Sequence, residues 1–278
     1  MNILEKIIYF LQKEMIEPKP FGWFHLLCIG IMLSIIVILF IIRKKHNEKQ
    51  LKVILGTYGI IALILELLKQ ISWSFIYDPS TKLVTWDYEW YAFPFQLCTT
   101  PIYISIICLF LKKGKIRDSL LSFLAFFTIL GSISTILLPE SCFVEDILVN
   151  IHTMYLHLGS FIVSVYLLFS KEIKITKENF IKAFFVFIGL ITIAEILNIV
   201  IYQSGILNGE TFNMFYISPY FISSLPVFDI IQENVPYILY LLIYIVALSL
   251  GAGIIYVISL GINKLFSKKV KYGINKWK

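Results

Sequence analysis

The chain has 278 residues, of which 58% are hydrophobic and 15% charged, and its mean hydropathy is +0.82. Soluble globular domains average about 45–50% apolar and about 25% charged residues, so this composition excludes a soluble globular protein, a disordered chain and a coiled coil. Four cysteines exclude a disulfide scaffold, and the formal net charge of +6 takes its meaning from where the basic residues stand.

In chain order, residues 1–20 place Ile3, Leu4, Ile7, Ile8, Leu11 and Met15 on one helical face, with Lys6, Lys13 and Glu14 elsewhere. This pattern predicts an amphipathic segment over 1–22 that lies at the membrane interface. A bilayer core about 30 Å thick needs roughly 20 apolar residues per crossing helix. Seven stretches meet that length: 24–42, 53–73, 93–111, 120–138, 147–169, 180–203 and 236–261. Pro94 falls in the first turn of the third, where a missing N–H costs little. The fourth stops at Pro139 and the seventh starts at Pro236. The first is too long for a cleavable signal, and basic residues follow it rather than precede it.

Lysine and arginine fall in alternate connectors. Arg43, Lys44, Lys45, Lys49 and Lys52 follow the first stretch, Lys112, Lys113, Lys115 and Arg117 the third, and Lys171, Lys174, Lys177 and Lys182 the fifth. The tail adds Lys264, Lys268, Lys269, Lys271, Lys276 and Lys278. In the other connectors only Lys82 stands, and 139–146 and 204–235 have none. Cytoplasmic loops carry the positive excess. The expectation is an all-α polytopic bundle of seven transmembrane helices over 23–262, with the N-terminus outside and a basic cytoplasmic tail over 263–278. The Ile-, Lys- and Asn-rich composition points to a bacterial plasma membrane. The charge then reports topology and an attraction for anionic lipid headgroups. Basic residues split among loops argue against nucleic acid. No internal repeat occurs.

Polar residues inside a membrane usually face the bundle interior or a wet cavity. On the expected topology they gather at one depth: His25 on the first stretch, Glu66, Lys69 and Gln70 on the second, Gln96 and Cys98 on the third, His152 and His157 on the fifth, and Glu195 and Asn198 on the sixth. All fall in the outer half, which predicts a polar pocket opening toward the outer leaflet. Glu66 and Lys69 stand at i, i+3 and can neutralise each other, and Glu195 and Asn198 can act as packing glue. His152 and His157 lie about 140° apart around a helix, so at most one serves as a central base. Three histidines and two glutamates do not reproduce HExxH or an i, i+4 pair, so neither a metal nor another cofactor is expected. Cys28 and Cys108 read as core residues, and Cys142 as a loop residue. Cys98 differs because it sits near a helix N-terminus, where the dipole favours a thiolate that an imidazole can activate.

The motifs occur in a recognisable order. Phe21-Gly-Trp-Phe-His25-Leu is followed by Glu66, by Pro94-Phe-Gln-Leu-Cys98 and by His157-Leu-Gly159. Asn213-Met-Phe-Tyr-Ile-Ser-Pro219, Leu225-Pro-Val-Phe-Asp229 and Val235-Pro-Tyr237 complete the series. Over nearly the whole chain this resembles the YwaF-type bacterial integral membrane proteins, which are similar to the transmembrane protein 164 acyltransferase family. The resemblance implies acyl transfer on phospholipids, with Cys98 as nucleophile and His157 as its base. His25, Gln96 and Asn213 are then candidate oxyanion donors, and Glu66 a candidate for orienting an imidazole. His152 has no counterpart in the pattern. Ser218 stands where the family carries a basic residue, and 232–235 reads Gln-Glu-Asn-Val where aromatic and glycine residues are usual.

The expected function is therefore a membrane-embedded lipid acyltransferase or acyl hydrolase with membrane phospholipid as its partner. The alternatives are a proton- or solute-coupled transporter and a non-catalytic membrane protein with a structural polar cluster. An inner half without polar residues counts against the transporter. The absence of a lysine in 236–261 counts against a retinal receptor.

Overall fold

The computed structural model describes residues 2–42, 47–139, 142–170 and 172–274, with side chains described as far as Lys264. Arg43, Lys44, Lys45, Lys171 and the lysine side chains from Lys268 onward lie outside the described residues or side chains. Among the described residues the chain is helical apart from one small hairpin, and six helices are long and apolar enough to cross a membrane.

Helix α1 (Ile3–Leu11) starts at a capping box: the Asn2 side chain accepts the Glu5 N–H, and the Glu5 carboxylate accepts the Asn2 N–H. Ile8 and Leu11 are buried, while Ile3, Ile7 and Phe10 are exposed. The following residues tie the segment to the bundle. The Gln12 side-chain amide donates to the Ser72 and Phe75 carbonyls at 2.8 and 2.6 Å, and Met15 N donates to the Glu145 carbonyl at 2.7 Å. The N-terminal segment is thus a docked cap over one end of the bundle.

Helices α2 (Trp23–Ile42) and α3 (Glu48–Ser72) follow. In α2 only His25 and Met32 are buried among twenty residues, so the helix turns an apolar surface outward on most sides, as a lipid-facing helix does. A hairpin of β1 (Phe75–Tyr77) and β2 (Val84–Trp86) pairs Phe75 with Trp86 and Tyr77 with Val84. Its turn is an Asx turn: Asp78 accepts from Ser80 N at 2.8 Å and from both the Ser80 and Thr81 hydroxyls.

The stretch expected as a helix over 93–111 is helical only as α4 (Thr100–Phe110). Pro94 holds Phe93 extended at φ −48°, ψ 132°. The Gln96 N–H bonds the Thr99 hydroxyl at 2.9 Å instead of a helical carbonyl, and Pro101 opens the helix in its first turn. Helices α5 (Lys115–Phe126) and α6 (Thr128–Leu137) form one membrane-length segment with a break at Phe127. There the Leu124 carbonyl accepts the Thr128 and Ser164 hydroxyls, each at 2.6 Å, in place of a regular helical bond. Helices α7 (Ile147–Ser170) and α8 (Lys177–Gln203) are long and regular. A short α9 (Phe228–Asn234) precedes α10 (Tyr237–Ile274).

Contacts between the connectors sort them by end. Gln12 with Ser72, Met15 with Glu145, and the Trp90 N–H with the Glu210 carboxylate at 2.8 Å gather at one end. The buried Arg117 guanidinium grips Glu48 through two bonds of 2.6 and 3.3 Å, tying α5 to the start of α3. Arg117 is thus a structural ion pair as well as one of the loop cations.

Asp146 caps α7 by accepting the Val149 N–H at 3.1 Å. Burial raises its carboxyl pKa, the Val149 and Leu148 N–H groups oppose this, and nearby Glu14 adds to the rise. A carboxyl raised in the folded state costs stability once it ionises, so this end should weaken as pH rises through that pKa. Asp146→Asn keeps the cap and should flatten this slope. Asp146→Ala should lose the cap at a cost of about 1 kcal/mol. Thermal melts at pH 3.5 and pH 7.5 check both, and a steeper slope in Asp146→Asn would refute the assignment.

Candidate functional site

The centre of the polar cluster is Glu66 on α3, 2% exposed. One carboxylate oxygen takes Lys69 Nζ at 2.8 Å and Gln70 Nε2 at 2.9 Å. The other lies 2.7 Å from His152 Nε2 on α7. Gln70 also donates to the Ala92 carbonyl at 2.7 Å and accepts the Tyr88 hydroxyl at 2.7 Å. Lys69 lies over the Trp73 ring, 5.6 Å from its centroid. Spacings of i, i+3 and i, i+4 put Lys69 and Gln70 on the same face as Glu66. The antiparallel α7 brings His152 from the other side. A carboxylate with three donors in an apolar bundle is satisfied, whereas an isolated one is strongly penalised.

A second network holds the segment after α8. Asn198 on α8 clasps Met214, accepting its N–H at 2.7 Å and donating to its carbonyl at 3.1 Å. Gln96 does the same across two residues, donating to the Asn213 carbonyl at 2.9 Å and accepting the Phe215 N–H at 2.7 Å. The Asn213 side chain spends both N–H bonds on the Phe221 and Ile222 carbonyls and accepts Ser218 N. Tyr237 and Tyr240 donate to the Ile217 and Tyr216 carbonyls at 2.9 and 2.6 Å. Held this way, Phe215 and Tyr216 both take left-handed backbone conformations at φ 58° and 60°. Two adjacent non-glycine residues there cost energy and persist only when the surroundings enforce them.

Cys98 is a free thiol, half-buried in the unwound stretch between Gln96 and α4. It interacts electrostatically with Lys69 and Glu66, and Tyr216 interacts with it in turn. The structure therefore brings Glu66, Lys69, His152, Cys98, Gln96 and Asn213 into one region made by α3, α7, the approach to α4 and the clamped segment. The imidazole bonded to Glu66 is that of His152. Among the described residues Gln96 keeps one amide N–H unspent, while Asn213 keeps none.

The other two described histidines stand apart from that bonded cluster. His157 faces the Gly131 carbonyl of α6, on the side of α7 where Thr128–Ser164 and Ser132–Ser160 hydroxyl pairs, each at 2.8 Å, join α6 to α7. Among the described residues no hydrogen bond joins His157 to Cys98. His25 is fully buried between the rings of Phe21 and Phe143, with centroids at 5.3 and 5.5 Å. Its Nδ1 accepts the Phe21 N–H at 3.2 Å, which puts its own proton on Nε2, and that atom has no partner among the described residues.

Sequence reasoning missed Tyr88 and Gln232. Gln232 donates to the Ser218 and Phe221 carbonyls at 3.0 and 3.1 Å and accepts Ser223 N at 2.7 Å. The two departures from the family pattern thus touch each other. No local periodicity marks these residues, because Tyr88 bonds the Gln70 side chain and Gln232 bonds backbone groups, partners that only the fold brings near. Among the described residues no group of three or more His, Cys, Asp or Glu side chains is arranged to hold a metal ion.

Comparison with known proteins gives one match. The model of the TMEM164 family matches residues 20–256. No curated protein and no solved structure matches the chain.

Lys69→Met should leave the buried Glu66 carboxylate short of its cation and cost about 3–5 kcal/mol. Pairing it with Glu66→Gln should recover most of that loss. Thermal and denaturant unfolding in detergent check this, and a double variant as unstable as the single would refute the pairing.

Proposed function

The chain belongs to the TMEM164 family, and from that premise we propose that it is a membrane-embedded lipid acyltransferase or acyl hydrolase. Cys98 attacks the carbonyl carbon of a phospholipid acyl ester. His157 takes the thiol proton and returns it to the departing lipid alcohol, leaving a thioester on Cys98. An acceptor hydroxyl or water then takes the acyl group and restores the thiol. The single observation that carries this reading is the setting of Cys98. It is a free thiol at the unwound approach to a half-length helix, between a buried ion cluster and a strained, clamped backbone segment. Backbone strain collects at functional sites. Catalytic hydrogen bonds commonly tighten only when substrate is seated, which accommodates the absence of a direct Cys98–His157 bond.

The proposed topology has seven crossings, with the N-terminus outside, the tail cytoplasmic and the site at outer-leaflet depth. Two contacts support an added crossing through α4: Trp90 is bonded to Glu210 at one end, and Arg117 to Glu48 at the other. An eleven-residue helix covers about 16 Å, and the non-helical residues 93–99 that lead into it add to that reach. The lysine asymmetry supports the orientation. A bacterial plasma membrane suits the composition.

A second reading, a non-catalytic membrane protein with a structural polar cluster, is favoured by one observation. Asn198, Asn213 and most of Gln96 are spent on backbone groups. The readings part in nanodiscs holding a phospholipid with a fluorescent acyl chain. Cys98→Ala and His157→Gln should each slow acyl release or transfer at least about a hundredfold while melting like the parent protein. Turnover unchanged by both substitutions, or none in the parent with any phospholipid class, would favour the structural reading.

A further inference from the structure

Away from the cluster, α8 and α10 separate near the start of α8 and leave an open groove of about 880 Å³. Phe180 and Phe184 form one wall and Val257 is on the other. Gly253 keeps it wide, since a Cβ there would meet only the Phe180 ring, at 3.9 Å. Three lining residues carry a polar group: Lys177, Ser249 and Tyr256. The Ser249 hydroxyl is buried with no partner among the described residues. Lys177, the first residue of α8, stands exposed at the mouth.

The charges around the mouth are unbalanced. Glu178 is paired with Lys182 at 2.7 Å and also feels Lys115 and Lys174. Lys177 therefore has no carboxylate partner among the described residues. A groove that is apolar along its length, cationic at one end and open on the lipid-facing side of a membrane protein matches an amphiphile with an anionic head.

We propose that this groove is a binding site for one anionic phospholipid, with an acyl chain between Phe180, Phe184 and α10 and its phosphate at Lys177. The Ser249 hydroxyl donates to an oxygen of the same lipid. The stretch of α10 that lines the groove, 245–258, is about 20 Å long, enough to shelter most of an acyl chain. The site lies at the end of the bundle opposite Cys98, so it is independent of the proposed reaction.

The test reconstitutes the full chain in vesicles of phosphatidylcholine and phosphatidylglycerol at 7:3. It then extracts the protein and counts retained lipids by native mass spectrometry. One phosphatidylglycerol should stay with the parent protein. Lys177→Gln should lower its retention about fivefold, as expected for one interfacial cation, and Lys177→Arg should restore it. Gly253→Leu should reduce retention of both lipids by filling the groove. If Gly253→Leu does not fold, the Lys177 pair alone decides. Equal retention of the two lipids regardless of Lys177 would overturn the proposal. A dimer mass in place of the lipid would overturn it too, because a second copy would then cover the groove.

Discussion

Inside a bilayer core no water is available to complete the hydrogen bonds of buried polar groups, so the chain must satisfy them itself. Most of what is unusual in this protein follows from that constraint. Glu66 is tolerated because Lys69, Gln70 and His152 all reach it. The irregular segment around Met214 is tolerated because Asn198, Gln96, Asn213 and Gln232 supply the bonds a helix would have made. The two networks meet at the approach to α4, where Cys98 stands. A site in this membrane protein is therefore defined by which polar groups the fold has spent and which it has left.

Among the described residues, three of the groups left open are candidates for the site. Cys98 is a free thiol, Gln96 holds back one amide N–H, and His25 keeps an unpartnered Nε2–H in a fully buried ring. Asn213, by contrast, has nothing left to give. His152 and His157 divide their work. His152 is fixed by the carboxylate of Glu66, while His157 bonds the Gly131 backbone of α6 and, among the described residues, no carboxylate. The proposed chemistry asks His157 to carry a proton, and with one ring N–H turned to the Gly131 carbonyl the other ring nitrogen is left to accept it.

Much of this was legible in the sequence. Apolar length located α2, α3, α7, α8 and α10, and the i, i+3 spacing of Glu66 and Lys69 announced their ion pair. Three features were not legible. Pro94 was read as a tolerable first-turn proline, but Pro94 and Pro101 together with the Thr99 hydroxyl delay helix until Thr100, so the 93–111 stretch holds only a short α4. The hairpin at 75–86 escaped, although Phe-Ile-Tyr and Val-Thr-Trp flank the turn-forming Asp78-Pro-Ser-Thr. The clamp escaped because its side chains bond to backbone far away in sequence, as Gln96 does to Phe215. Hydropathy reports where a helix is buried in lipid, not which carbonyl a glutamine will find.

The central claim is that Cys98 carries an acyl group during turnover. The most direct measurement is peptide mass spectrometry of the protein after brief incubation with a phospholipid bearing an isotopically labelled acyl chain. The expected result is a labelled acyl mass on the Cys98 peptide, removed by neutral hydroxylamine as a thioester is, and absent from the same peptide of Cys98→Ala. An unmodified Cys98 while labelled acyl chains are released or transferred would contradict it.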